Sequence, residues 1–429
     1  MLSVSTALAR LQDGLGESFP DSPGTRIIDV AFPLNDAFDP LLWCGQQAQW
    51  PQFYWQQRNG DEELATLGAV KTFTSLDAAN RFLRQADRQD LRICGLNAFE
   101  PQQGSLALPR LEWRRCGGRA VLRLVLHSDI SLREDAATAR VFLASLTTTQ
   151  ATPGAIPPLL SERHSSDYPQ WQAMIARATK AISAGEMDKV VLARATDLQF
   201  AAPLDAVSIM AASRRSNLNC FHFLMAFNAR QAFFGSTPER LWRRRGALLR
   251  TEALAGTVAN HQEDAKAQQL ADWLMKDDKN QRENMLVVED ICQRLQSEAS
   301  TLDVLPPQVV RLRKVQHLRR CIWTELAAPD DSRCLLQLQP TAAVAGLPRR
   351  AALAFIQRHE PFSREWYAGS AGYLSLAQSE FCVALRSAKV NHDTLRLYAG
   401  AGIVSGSDAQ QEWQEIDNKA AGLRSLLCP

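Results

Sequence analysis

Three strand-like runs follow one another near the C-terminus: Ala371–Leu376, Glu380–Val390 and Thr394–Val404. Only three residues separate each from the next. Parallel strands need a crossover of roughly a dozen residues or more, so these runs can pair only as an antiparallel meander. More strands are predicted upstream at Lys189–Phe200, Cys220–Phe227, Gln231–Gly235 and Ala247–Leu254. Trp171–Ala184 reads as a helix ending before Gly185. One long helix is predicted from Ala265 to Glu298, rich in strong helix formers and free of proline. A last helix spans Asp408–Leu427, with Ser407 and Gln410 resembling a capping box. Strands and helices do not alternate regularly, which argues for an α+β class and against a doubly wound parallel sheet.

The N-terminal part has shorter strands, at Arg26–Phe32, Gln52–Gln57 and Leu64–Phe73, and a hairpin turning at Cys116–Arg119. Leu76–Gln85, with Ser75 as N-cap, and Glu134–Ser145 read as helices. The proline-bearing stretch 150–169 interrupts any regular element and marks a boundary. It divides an N-terminal portion, 1–155, from a C-terminal portion, 156–429.

Several classes of function are disfavoured. A net charge of +2 does not imply nucleic acid or an anionic membrane as the main partner. Apolar runs such as Phe221–Phe227 are far too short to span a bilayer. The first residues read as an amphipathic helix rather than a signal peptide. Nine cysteines, scattered from Cys44 to Cys428 without a C-x-x-C pair, suit a reducing compartment, and a cytoplasmic location is expected. The glycine run Gly400–Gly406 misplaces the third glycine of a dinucleotide fingerprint and lacks its acidic ribose partner. No Walker A, zinc-hydrolase or nucleophile-elbow motif is present.

Four constellations could carry chemistry. Glu412 and Glu415, three apart on the last helix, share one face, with Trp413 and Ile416 able to anchor it. Two inward carboxylates would call for a cation, and magnesium suits them; a solvated face with a Glu415–Lys419 pair is the plainer reading. Glu283, on the long predicted helix, carries the same two readings. Glu239 follows Pro238 at a strand end, where a held carboxyl could act as a general acid or simply lie on the surface. Lys189 opens an apolar strand, where desolvation would make it a base; more often such a lysine marks a strand edge.

The order of these segments is more specific than any one of them. Ser-Thr-Pro-Glu-Arg at 236–240, Leu-Ala-Gly-Thr at 254–257, Val-Gln-His-Leu at 315–318, Pro-Thr-Ala-Ala-Val-Ala-Gly at 340–346, Trp-Tyr-Ala-Gly at 366–369, Phe-Cys-Val-Ala-Leu-Arg-Ser-Ala at 381–388, Tyr-Ala-Gly-Ala-Gly-Ile-Val at 398–404 and Glu-x-x-Glu-x-x-Asn-Lys at 412–419 resemble the chorismate-utilising enzymes. That family includes anthranilate synthase component I, aminodeoxychorismate synthase, isochorismate synthase and salicylate synthase. The resemblance covers roughly residues 170–427, and the whole chain looks like the isochorismate synthases of menaquinone biosynthesis.

The resemblance implies two large antiparallel sheets packed face to face with helices outside. The N-terminal portion would contribute strands to both, giving one integrated domain. It implies magnesium held mainly by Glu283 and Glu415, with Glu412 supporting through water. Arg386, Tyr367, Lys419 and the backbone of Gly400, Ala401 and Gly402 would meet substrate carboxylates, and Thr257 and His317 would line the ring site. The implied reaction adds water at ring C2 of chorismate while the C4 hydroxyl departs, with Lys189 as general base and Glu239 as general acid. Those roles need a neutral lysine and a protonated carboxyl. The amine-transferring relatives typically carry glutamine at the Lys189 position, and the aminodeoxychorismate type carries lysine where Ala255 stands. Salicylate synthase is the closest competitor, and a binding protein that kept the fold is the alternative from another class. No obligatory glutaminase subunit is implied, and a monomer or weak homodimer is expected.

Overall fold

The computed structural model describes residues 3–34, 38–86 and 88–427; Cys428 lies outside them. In chain order the elements are α1 Val4–Gly14, β1 Gly24–Pro33, α2 Pro40–Gly45, β2 Gln52–Gln56, β3 Glu63–Phe73, α3 Leu76–Ala86, β4 Ile93–Asn97, β5 Gly104–Cys116, β6 Arg119–Ser128 and α4 Leu132–Ala144. They continue with β7 Leu159–His164, α5 Tyr168–Ser183, β8 Lys189–Phe200, α6 Ala206–Ser216, β9 Phe221–Asn228, β10 Gln231–Thr237, β11 Arg240–Arg245, β12 Leu248–Ala259, α7 Asp264–Lys276 and α8 Asp278–Leu295. The last are β13 Ala299–Val304, β14 Gln308–Arg311, β15 Val315–Leu326, α9 Asp331–Leu338, β16 Gly346–Leu347, α10 Arg349–His359, β17 Ser370–Leu374, β18 Gln378–Val383, β19 Ser387–Asn391, β20 Thr394–Ile403 and α11 Ala409–Leu427.

Neighbouring strands pair antiparallel and form two layers. The first runs β1–β6–β5–β3–β2–β9–β10–β19–β20–β8, with β7 and β16 on the far edge of β8. The second runs β4–β17–β18–β11–β12–β15, with β13 and β14 on the far edge of β15. Strand β5 belongs to both. Its first residues, Gly104–Ala107, pair with β4, and Leu111–Cys116 pair with β6 along the same edge. The other edge of β5 is taken by β3.

Large side chains from the two layers meet between them. Trp55 and Phe221 of the first layer share one core with Trp242, Tyr373 and Phe381 of the second, and the Trp55 and Tyr373 rings meet edge-on at 5.5 Å. Each such aromatic buries on the order of 150–250 Å², so this contact fixes how the layers sit on each other. The outer face of the first layer is covered by α1, α2, α4 and α6 through a second core containing Leu11, Trp43, Leu143 and Met210. Helices α8 and α9 pack on β12 and β11 of the second layer. Among the described residues, no helix is long and apolar enough to cross a membrane, and the seven described cysteines are free thiols.

The α+β architecture is the expected one, and several details differ. The long helix predicted from Ala265 to Glu298 is two helices. Asp277 between them is extended (φ −75°, ψ 113°), and its carboxylate accepts from the backbone and side-chain nitrogens of Asn280 at 2.9 and 2.7 Å. An Asp whose side chain can cap a new helix competes with continuation of the old one. The predicted strand Glu380–Val390 is broken at Ala384–Arg386, where Arg386 has a φ of +49°. The meander is thereby shared out: β17 and β18 lie in the second layer, β19 and β20 in the first. Asp408, not Ser407, caps the final helix, accepting from Gln410 N and Gln411 N, while Ser407 accepts from Val404 N. The stretch 150–169 contains a strand after all, β7, paired to β8, and Asp167 caps α5 earlier than predicted. Helix α4 likewise starts earlier, capped by Ser131, and β12 runs on past Leu254 through a bulge to Ala259.

Candidate active site

One cavity of about 560 Å³ gathers nearly every side chain singled out in the sequence. Lys189, Glu239, Thr257, Glu283, His317, Tyr367, Arg386, Glu412, Glu415 and Lys419 line it, together with the backbone of Gly400 and Gly402. Ala401 does not; it packs in the apolar core instead. Successive residues of a strand face opposite sides, which is why Gly400 and Gly402 reach the cavity and Ala401 does not.

Lys189 enters from the first residue of β8 and is 2 % exposed. Its ammonium donates to Glu283 Oε1 of α8 at 3.1 Å. Gly402 makes room for it: a Cβ there would stand 2.9 Å from Lys189 Cε. Gly400 does the same for Tyr367, whose hydroxyl would lie 2.9 Å from a Cβ. The Tyr367 ring stacks on Tyr398 at 5.1 Å, and burial pushes its phenol up to about 12, so it is a neutral hydrogen-bonding group.

Glu239 follows Pro238 in the link between β10 and β11 and is 3 % exposed. Burial, reinforced by the negative charge of Glu252, raises its pKa to about 8. Glu252 is itself held ionised against burial by a two-pronged bond from Arg58, at 2.6 and 2.8 Å, and by Arg240 N. Two buried carboxyl groups thus have unlike environments, one clamped as an anion and the other neutral at pH 7. That is the arrangement that makes a general acid.

The positive groups are spread around the same space. Arg386 sits between β18 and β19, half-buried at the cavity wall, with its guanidinium 3.0 Å from His317 Nε2. Among the described residues no carboxylate forms an ion pair with it. Lys419, on α11, bonds Glu415 at 2.6 Å and the Gly400 carbonyl at 3.1 Å. A half-buried guanidinium without a carboxylate partner, beside the Lys419 ammonium, makes the cavity suited to an anionic ligand.

The three glutamates offer only oxygen donors. Glu412 is raised to about 7 by burial and then by its neighbour Glu415, the mutual repulsion of two carboxylates one helical turn apart. Glu283 is held ionised, with Lys189 outweighing burial. Among the described residues no group of three or more His, Cys, Asp or Glu stands ready around one point. Lys189 and Lys419 provide the compensating charge here. The donor chemistry nonetheless fits a small hard cation.

Sequence reasoning missed three supports of this site. Arg194, buried on β8, pairs with Asp417 of α11, and its guanidinium lies 4.0 Å from the centre of the Trp413 ring. It ties the helix bearing Glu412, Glu415 and Lys419 to the strand bearing Lys189. A lone arginine inside the apolar run Val190–Ala195 was the available signal. The Arg58–Glu252 clamp and Asn280, which bonds Thr257 N, had none, because their partners lie far away in sequence.

Known proteins resemble this chain over its whole length. The family model for chorismate binding enzyme matches residues 96–428. The isochorismate synthase MenF of Escherichia coli is 66% identical over 428 residues, covering 100% of this chain and 99% of its own. That of Haemophilus influenzae is 39% identical over 91% of this chain and 90% of its own. The solved structure of the menaquinone-specific isochorismate synthase MenF from Escherichia coli superposes with a TM-score of 0.97, covering 99% of this chain and 100% of that one at 66% identity. Anthranilate synthase component I from Streptococcus pneumoniae, 18% identical, shares the fold at a TM-score of 0.65, over 95% of this chain and 93% of that one.

Proposed function

The chain belongs to the chorismate-binding enzyme family, and from that premise we propose that it is an isochorismate synthase serving menaquinone biosynthesis. It is an isomerase: water adds at ring C2 of chorismate, the two ring double bonds shift, and the C4 hydroxyl leaves as water, so the product has the composition of the substrate. Lys189, once it has given up the ammonium proton that it holds against Glu283, takes the proton from the attacking water, and Glu239 gives one to the departing hydroxyl. The observation that carries this reading is Glu239, buried and neutral at pH 7 on the same cavity wall system as a buried lysine. The full-length likeness to isochorismate synthases supports it.

Chorismate carries two carboxylates. Arg386, Lys419, the Tyr367 hydroxyl and the backbone at Gly400 and Gly402 supply donors for them, and charge-assisted bonds of this kind both bind and orient. Thr257 and His317 border the ring. Ala401 contributes through its place in the strand rather than by contact. Glu283 and Glu415, with Glu412 behind them, would hold magnesium, which when bound neutralises charge developing on the ring carboxylate.

Because the nucleophile is water, no glutaminase subunit is required. The protein acts in the cytoplasm, as a monomer or weak homodimer; the free thiols of its described cysteines suit a reducing compartment.

Purified protein with chorismate and magnesium tests the reading. Isochorismate formation independent of ammonia supports it. Salicylate and pyruvate as the main products would move the chain to the salicylate synthase branch, and folded protein without turnover would leave it a binding protein.

A further inference from the structure

A chain of hydrogen bonds runs along the cavity wall and ends at Arg386. It starts at the break between α7 and α8, where the Asp277 carboxylate accepts from Asn280. Asn280 Oδ1 accepts from Thr257 N at 3.0 Å. Thr257 Oγ1 lies 3.0 Å from His317 Nδ1, and His317 Nε2 lies 3.0 Å from Arg386 Nη2. Thr257 and His317 are cross-strand partners on β12 and β15, just after the bulge. Asn280 packs over that bulge at Gly256, whose φ of +84° suits a residue without a side chain.

Donor rules fix the state of the ring. A guanidinium can only donate, so His317 Nε2 must accept from Arg386. The single proton of the neutral ring is then on Nδ1 and is given to Thr257 Oγ1. Burial, with Arg386 and Lys419 nearby, holds the imidazole well below the ordinary histidine range, against a bond to the Gly256 backbone. The lone pair that a base would use is already occupied by Arg386. Arg386 needs such an anchor: it lies where the chain crosses between layers, with a φ of +49° and no ion-pair partner among the described residues.

We propose that His317 is a positioning residue, held by Thr257 and Asn280, that aims the Arg386 guanidinium at a carboxylate of the substrate and takes no part in proton transfer. The proposal rests on the chorismate reading for the identity of that carboxylate, but not for the state of the ring.

Two measurements test it. A nitrogen-15 spectrum of histidine-labelled protein without substrate, with the His317 signal assigned by its loss in His317→Gln, should show the neutral Nδ1–H form. An imidazolium or an Nε2–H ring overturns the proposal. In steady-state kinetics His317→Asn, which keeps a donor near Thr257 but loses the acceptor, should raise the KM for chorismate about tenfold, the order expected for one hydrogen bond to a charged group. Its kcat should stay within about twofold of wild type. His317→Gln, which can return an oxygen to the Nε2 position, should recover most of that loss. Thr257→Val, which preserves shape, should give a smaller rise in KM and covers the case of an Asn variant that does not fold. Loss of kcat at unchanged KM in the Gln and Asn variants, or loss of a limb of the pH profile, overturns the proposal. A wild-type protein that does not turn over chorismate would sink the proposed function, while the ring state would still be read from the substrate-free spectrum.

Discussion

Glu283 Oε1 stands 3.1 Å from the Lys189 ammonium, so a residue proposed to hold magnesium and the residue proposed to take a proton are partners in one ion pair. Two positive charges compete for one carboxylate. Metal and base are therefore interdependent, and each should be visible in assays of the other. Chelation is expected to stop turnover and added magnesium to restore it. Glu283→Gln should need at least about tenfold more magnesium, by calorimetric titration and by activity, in line with the usual effect of weakening a metal site. An unchanged magnesium requirement in this variant would take Glu283 out of the ligand set.

Glu239 must carry a proton to act as an acid, and its pKa is about 8. The rate constant kcat/KM should fall as pH rises through about 8, because the ionised form cannot donate. Glu239→Gln and Lys189→Ala should each lower kcat by roughly 10²–10⁴-fold while chorismate binding persists. Stability falls in the same direction. The folded pKa is raised above the ordinary carboxyl value of 4.5, so the native state loses stability as pH climbs from there through about 8. Glu239→Gln should thus melt higher than wild type at pH 9 and nearly level with it at pH 4. Equal melting at both would contradict the burial argument.

Gly402→Ala places a methyl 2.9 Å from Lys189 Cε. The lysine end is flexible and can yield, so the fold should survive with little change in Tm. The ammonium would be displaced, and kcat should drop about tenfold or more, since small misplacements of reacting groups are expensive. Wild-type kcat in this variant would show that Lys189 tolerates a range of positions.

Asp331, outside the cavity lining and buried in the first turn of α9, accepts from Arg244 at 3.0 and 2.7 Å and from Ser379 at 2.5 Å. Asp331→Ala leaves the Arg244 guanidinium buried without its partner. The expected cost is about 3–5 kcal/mol, read as a lower urea midpoint at unchanged slope. The folded variant should retain wild-type KM and kcat at 25 °C. Loss of less than about 1 kcal/mol would mean that water reaches Arg244.

Much of this was legible in the sequence, because hydrophobic period and motif wording are local. The α+β class, the strand at Lys189–Phe200 and the pairing of Thr394–Ile403 with the strand just before it needed only short-range pattern. What escaped depends on choices between local and distant partners. Asp277 could continue a helix or cap one, and its bonds to Asn280 decide the matter. The run 380–390 is β-prone throughout, yet the layers draw its two halves apart at Arg386. The neutral state of Glu239 comes from burial and from Glu252, and the latter is kept charged by Arg58, distant in the chain. No window of sequence contains that relationship.

The shared strand β5 bears on how such a protein could be cut. A fragment starting at residue 156 would leave β9 without β2 and β17 without β4, exposing two long backbone edges. Unpaired edges of that kind recruit other strands. Splitting the gene at the proline-rich stretch should therefore yield inclusion bodies from either half alone, and soluble protein only when both halves are made together and can close each other's ladders.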